Sequence, residues 1–306
     1  MAEFLSKIRL ASAKIWHNFN YFRYKSLQKK SIEEARHYLN DLKRNNPQER
    51  RFSLPLNTLA NDRFIFDDEW KAICREFGCD EIEISNRKCW EYVHSIYGLK
   101  KMGMLDEKNT VLGVASGHEA PLYYLANKCR HVIGTDIYEG SFAIEKDGEA
   151  NPDILIDADK FAPFPYRKDR LSFRKMDALN LKFQDNSFDI VICLSSIEHF
   201  GGEKNYKQAA REIGRVVKPG GMAVLTTEFA LNKVEYDGYF NDRTLFEYII
   251  KPSGLELAEP IDFTINPEMF KYVRILPHDY GLAPHFIIQV GKIIFTSLSL
   301  FLQKPR

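Results

Sequence analysis

Large apolar residues recur at helical spacing among basic ones over residues 4–42 (Phe4, Leu5, Ile8, Ile15, Phe19, Phe22, Leu27), which predicts one long helix. Asn45-Asn46-Pro47 breaks it, and a mixed, loosely patterned stretch runs on to about residue 61. Helical periodicity returns over 67–77 and over 87–102, the second with Ser85 or Asn86 available to accept a bond from a free first-turn amide. The grammar then changes. Short apolar runs at 110–115, 131–136, 171–176, 188–194 and 222–227 predict strands, and helical patterns at 120–128 and 205–217 fall between them. Lys218-Pro-Gly-Gly221 ends the second of these helices. A helix over 241–250, with Asp242 in its first turn, precedes two further apolar runs at 255–263 and 292–302, read as a closing antiparallel hairpin.

Alternating strands and helices imply a parallel sheet covered on both faces. The expectation is therefore an α/β chain: a Rossmann-like, seven-stranded, mostly parallel sheet with an antiparallel C-terminal strand and helices on both faces. A basic helical extension over residues 1–85 precedes a ligand-binding domain over 86–306. Two long connections interrupt that domain, at 137–170 and 264–284, and connections of that length are usually lids or functional insertions. The first holds Phe161-Ala-Pro-Phe-Pro-Tyr166, the second Tyr272, His278 and Tyr280. No repeat or low-complexity tract occurs.

Composition changes this picture in three places. The net charge is only +1, yet residues 1–60 carry 12 Lys/Arg against 5 Asp/Glu and residues 61–306 carry 31 against 37. That asymmetry leaves open a peripheral membrane contact through residues 1–45 or a homodimer contact, and it argues against a nucleic-acid groove in the core. No run reaches the roughly 18–20 apolar residues of a membrane span, and no secretory layout follows Met1, so a cytoplasmic protein is expected, with attachment at the inner membrane face left open. Five scattered cysteines (Cys74, Cys79, Cys89, Cys129, Cys193) lack any Cys-x-x-Cys pair, so zinc is not expected and reduced thiols are.

Four features in order carry the candidate chemistry. Val111-Leu-Gly113-Val-Ala115-Ser116-Gly117-His-Glu119 is a strand entering a tight small-residue turn, where ligand can approach backbone. Asp136, followed by Ile137, ends the next strand, and a carboxylate there can accept from both ribose hydroxyls of a nucleoside. Asp177-Ala178 follows the third strand, where an acid can meet an adenine amino group. Phe188 to Phe200 is a buried strand ending in the polar run Ser195, Ser196, Glu198, His199. Open α/β sheets bind ligands at that carboxyl edge.

In this order the features resemble the class I S-adenosylmethionine-dependent methyltransferases, in particular the small-molecule group related to ubiquinone and menaquinone methyltransferases. The resemblance covers about residues 88–230. Their first motif reads roughly Val-Leu-Asp-Val-Gly-Cys-Gly-Thr-Gly; here Gly113 stands at the Asp position, Ala115 at the first Gly, Gly117 is retained and Glu119 replaces the last Gly. Phe188-Asp189 and Lys218-Pro-Gly-Gly221 match the family's later signals. The turn also looks like that of bacterial methyltransferases associated with surface-glycan synthesis. The resemblance implies S-adenosylmethionine as cofactor, held by Gly113, Ala115, Ser116, Gly117, Glu119, Asp136, Ile137, Asp177, Ala178 and Ser195. Glu119 would pair with the cofactor's ammonium or serve only as a first-turn acid. Tyr92, on the helix that the family lays over the cofactor, is a further candidate contact.

His199, beside Glu198, is the expected base for a hydroxyl acceptor on a small molecule or glycan. Related quinone-pathway enzymes bind a divalent metal through Glu-x-x-Glu-His; Ser195 replaces the first Glu here, so no metal is expected. A nicotinamide enzyme is set aside because Gly-x-Gly-x-x-Gly is absent, and amino-methylation of nucleic acid because Leu194-Ser-Ser-Ile197 replaces Asp/Asn-Pro-Pro-Tyr. The eroded glycine motif keeps one alternative open, a non-catalytic binding or scaffold protein on the same fold.

Overall fold

A computed structural model describes residues 2–45, 54–79, 86–140, 150–279 and 282–306, with side chains from residue 21 onward. Ser85 and Tyr280, the side chains of Phe4, Leu5, Ile8, Ile15 and Phe19, and residues 46–53 lie outside the described residues. The membrane and dimer expectations placed on residues 1–45 draw on those side chains.

The helices form where the pattern puts them. Helix α1 spans Ala2–Asn45, α2 Asp68–Glu76, α3 Arg87–Lys101, α4 Ala120–Ala126 and α5 Gly202–Val216. Local chemistry sets their ends. Asp67 accepts from the Trp70 amide at 2.8 Å and caps α2, and Asn86 does the same for Lys88 at 2.8 Å on α3. The segment expected as a helix over 241–250 opens at Asp242–Leu245 under an Asn241–Thr244 capping box. It widens into a π turn over Phe246–Ile250 and closes at Lys251–Ser253.

The strands are β1 (Thr58–Leu59), β2 (Thr110–Val114), β3 (His131–Asp136), β4 (Leu171–Lys175), β5 (Phe188–Leu194), β6 (Val217–Ala230), β7 (Glu256–Leu257), β8 (Arg274–Ile275), β9 (Ile288–Val290) and β10 (Ile293–Gln303). They lie in the order β4-β3-β2-β5-β6-β10-β9-β8, parallel from β4 to β6 and antiparallel where β10 meets β6. The mostly parallel sheet with an antiparallel closing strand is present. Among the described residues it has ten strands rather than seven, because the outer edge of β10 is paired piecewise by β9, β1 and β7 and β8 adds to β9. The hairpin partner expected over 255–263 contributes only the two residues of β7. The true hairpin joins β9 to β10. Lys218-Pro-Gly-Gly221 is not a loop between elements but a detour inside β6: Phe188 pairs Val217, Ile190 pairs Met222, and the four residues between swing out of register.

Residues on both sides of position 85 share one core. Leu39 and Leu42 of α1, Leu59, Phe64 and Trp70 are buried in the same cluster as Trp90, Val111 and Leu298. The last part of α1 is fixed to the domain by polar contacts too: Tyr38 Oη donates to Asp242 Oδ1 at 2.5 Å, and its ring stacks on Phe229 at 6.3 Å. Among the described residues no helix is long and apolar enough to cross a membrane.

Strand order reverses between β2 and β5, so their carboxyl ends diverge and open a crevice. Helix α3 walls it. Its close approach to the sheet depends on Gly98, where a Cβ would lie 2.0 Å from Cζ of Phe301 on β10.

Candidate active site

The turn after β2 is stitched to both neighbouring strands. The Ser116 amide donates to the Thr135 carbonyl at 3.0 Å, Thr135 Oγ1 donates to the Gly113 carbonyl at 2.7 Å, and Ser196 Oγ donates to the Ala115 carbonyl at 2.8 Å. Ala115 (φ 48°) and Gly117 (φ 45°) both occupy the left-handed region, as does Ser195 (φ 49°) at the end of β5. For alanine and serine that conformation costs about 1–2 kcal/mol each, and such strain concentrates at sites where the surroundings over-determine the backbone.

Asp136 ties the two turns together. Its Oδ2 accepts from the Gly117 amide at 3.0 Å and its Oδ1 from the Tyr138 amide at 3.2 Å. Burial raises its pKa from the ordinary value, and the amide bonds from Tyr138 and Gly117 pull it back. Each oxygen retains a lone pair for a ligand. Around this carboxylate lies a cavity of about 360 Å³ at the carboxyl ends of β2 to β5. Of the residues expected at the site, Ala115, Ser116, Gly117, Glu119, Asp136, Ile137, Asp177, Ala178, Ser195 and His199 line it. Ile137 is 47% exposed at its wall, and Asp177 bends its own loop by accepting from the Leu179 amide at 2.8 Å. Ser196 of the polar run also lines the cavity, as do Glu139, Met176, Leu179 and Phe200, which were not singled out in the sequence. The signal that could have found them is position: each lies within a few residues of a strand's carboxyl end.

Two expected site residues stand elsewhere. Gly113 is enclosed within β2, where a Cβ would meet Ser116 Oγ at 2.6 Å and Leu122 Cδ2 at 2.7 Å. The serine hydroxyl thus fills the room that an acid at 113 would need. Glu198 is buried in the short turn Ile197–His199 and faces away from the cavity, its Oε2 accepting from Thr227 Oγ1 at 3.0 Å. Tyr92 is likewise absent from the cavity wall and instead has the Lys88 ammonium 5.2 Å from its ring centre. Glu119, at the start of α4, makes no capping bond with its side chain; it pairs with Lys88 Nζ at 3.5 Å across to α3.

Beneath Ser195 lies a buried charged cluster. Ser195 Oγ donates to Glu91 Oε2 at 2.7 Å, and Glu91 Oε1 accepts from Ser297 Oγ and from Arg87 Nη1, the latter at 2.9 Å. Arg87 Nη2 reaches Glu228 Oε1 at 3.2 Å. Burial, reinforced by like charge from Glu91, raises the pKa of Glu198; burial, opposed by Arg87, raises that of Glu228. His199 is exposed at the cavity and lies within electrostatic range of Glu228. No group of three metal-ligating side chains occurs among the described residues.

The family profile described as "Methyltransferase domain" matches residues 112–225. An uncharacterised protein of Methanocaldococcus jannaschii is 34% identical over 132 residues, 41% of this chain and 51% of that protein. A demethylmenaquinone methyltransferase of Deinococcus radiodurans is 34% identical over 125 residues, 37% of this chain and 50% of that protein. The chain thus spans about half the length of the curated relatives it matches. Among solved structures, a TehB-like SAM-dependent methyltransferase of Corynebacterium glutamicum superposes with a TM-score of 0.41 at 16% identity, covering 77% of this chain and 94% of that one.

Proposed function

We propose that this chain, whose residues 112–225 match a methyltransferase-domain profile, is a class I S-adenosylmethionine-dependent methyltransferase that transfers a methyl group to a hydroxyl oxygen of a small molecule or glycan. The observation that supports this reading is the cavity of about 360 Å³ at the reversal of strand order, with the Asp136 carboxylate in its wall. Its size falls in the usual range of small-molecule sites, about 300–1,000 Å³. Its wall also fits the cofactor chemically: Asp136 suits ribose hydroxyls, Ile137 and Ala178 offer apolar surface to a base, Asp177 suits an exocyclic amine, and Glu119 suits an ammonium.

When bound, S-adenosylmethionine supplies a methyl carbon made electrophilic by its sulfonium. The chain's own residues then have to align the acceptor, exclude water and accept one proton. His199, exposed in the cavity wall, is the group proposed to take that proton. Ser195 and Ser196 hold the end of β5 in place. Another cavity, of about 260 Å³, is lined in part by Tyr206, Tyr236, Tyr239 and Tyr248 and shares no lining residue with the first. Phenol faces and hydroxyls suit a sugar ring, which favours a glycan acceptor.

Titration calorimetry with S-adenosylmethionine tests the binding step. Removing a charge-assisted pair of ribose contacts costs about 1.5–3 kcal/mol, so Asp136→Ala weakens binding by about tenfold to a hundredfold. Equal affinity in both proteins, or no binding to either, overturns the reading. Incubation of the loaded protein with cell extract tests turnover: formation of adenosylhomocysteine is expected, and tight binding without it would leave a binding protein.

A further inference from the structure

Of the five cysteines, three are sealed in the core. Cys74, Cys129 and Cys193 are buried, and burial pushes the Cys129 thiol up to about 11 and the Cys193 thiol well above its ordinary value. The other two are partly exposed and meet. Cys79 sits just beyond the end of α2, where its amide donates to the Cys74 carbonyl at 3.1 Å, and Cys89 sits in the first turn of α3. Their sulfurs approach to 2.9 Å, the Cys89 thiol donating to Cys79. Two side chains that converge to this distance already point at one another, which is the orientation a bond between them requires.

We infer that Cys79 and Cys89 form an oxidation site, at which a low-molecular-weight disulfide links the two thiols and ties the end of α2 to the first turn of α3. One thiolate attacks the oxidant and expels a small thiol; the second thiolate attacks the mixed disulfide and expels another. Two S–H bonds are lost, one S–S bond forms, and the two electrons and two protons leave with the reduced oxidant. The turn so fixed carries Arg87 and Lys88 beside Cys89, and Lys88 reaches the cavity residue Glu119. The new bond therefore anchors the turn whose Lys88 pairs with Glu119 of the cavity wall. Partial exposure admits the oxidant to this pair, while burial withholds it from the other three thiols.

The experiment uses the full chain, treated with oxidised glutathione and then alkylated, digested and mapped by mass spectrometry. The expected product is a monomer lighter by two hydrogens, with Cys79 and Cys89 in one cross-linked peptide pair and the remaining three cysteines alkylated only after denaturation. Closing so short a loop (the two cysteines are ten positions apart) raises the melting temperature by a few degrees, and reduction restores it. Cys79→Ser and Cys89→Ser each abolish both the cross-link and the shift, and the single thiol that remains carries a glutathione adduct. Separate glutathione adducts on both thiols of the unsubstituted chain, a cross-link to Cys74, a disulfide-linked dimer, or a melting temperature unmoved by a verified cross-link would each overturn the inference.

Discussion

Ala115 carries a cost that its neighbours impose. Its carbonyl is held by Ser196 and the next amide by Thr135, so the backbone cannot relax out of the left-handed region that an alanine side chain disfavours. The family pattern has glycine at this point, and the structure supplies the reason. Ala115→Gly is expected to raise stability by about 1 kcal/mol, since glycine takes that conformation without the steric penalty. The gain is the strain relieved less the extra freedom of the unfolded chain, read as an increased denaturant midpoint at unchanged slope. A loss of stability would show that the Ala115 methyl packs more than it strains. Ser195, in the same conformation, is held by the Glu91 carboxylate from α3, a dependence invisible in the strand that contains the serine.

At the scale of elements, α3 lies closely on β10. Gly98 is the contact point, and the neighbour it admits is the ring of Phe301. Gly98→Ala gains up to about 1 kcal/mol in helix propensity but drives a methyl into that ring, and overpacking costs about 1–3 kcal/mol. The clash wins, because the separation of 2.0 Å leaves no room for small adjustment. Thermal or urea denaturation should show a net loss. Adding Phe301→Leu should recover part of it, a coupling that a double-mutant cycle measures; strictly additive effects would contradict the packing described. Helix α5 and β6 show a related economy. Lys304 Nζ donates to the Gly214 and Val217 carbonyls at 2.8 and 2.9 Å, closing the end of α5, and Lys218 pairs with Asp189 at 2.7 Å. Asp189 also accepts from the Thr110 amide at 2.8 Å, so one carboxylate aligns the starts of β2, β5 and β6.

At the scale of the whole molecule, Glu91, Glu198, Glu228 and Arg87 gather from α3, β6 and the turn after β5 into one buried group with three carboxylates and one guanidinium. Glu198 and Glu228 are pushed up to about 7, chiefly by burial. A carboxyl whose folded value exceeds its unfolded value of about 4.5 binds its proton more tightly in the folded state. Stability is therefore greatest below the unfolded value and falls as pH rises through the window from about 4.5 to about 7. Asp136, raised in the same direction, adds to the trend. Between pH 5.5 and pH 8 the melting temperature should decline, and Glu198→Gln should flatten the decline by removing one titrating group while keeping an acceptor for Thr227. Parallel melting curves for the two proteins across that range would refute the assignment.

The sequence by itself determined the alternating strands and helices, an acceptor at Ser85 or Asn86 for the first turn of α3, and the order of small turn, acid, acid and polar strand end that converges on the cavity. These features are local: apolar periodicity, turn chemistry and residue spacing act within a few positions of chain, and topology then carries each strand's carboxyl end to one edge. Only the tertiary structure decided that the outer edge of β10 is shared among β9, β1 and β7, because strands of two or three residues have no pattern of their own and exist only where a partner edge offers unpaired amides and carbonyls. It also decided that Gly113 packs inside β2 and that Glu198 turns from the cavity toward Thr227, outcomes of volume and burial rather than position. The gathering of Glu91 under Ser195, and of Cys79 against Cys89, was likewise set by how α2 and α3 pack, since no spacing along a chain encodes the distance between side chains on two different helices.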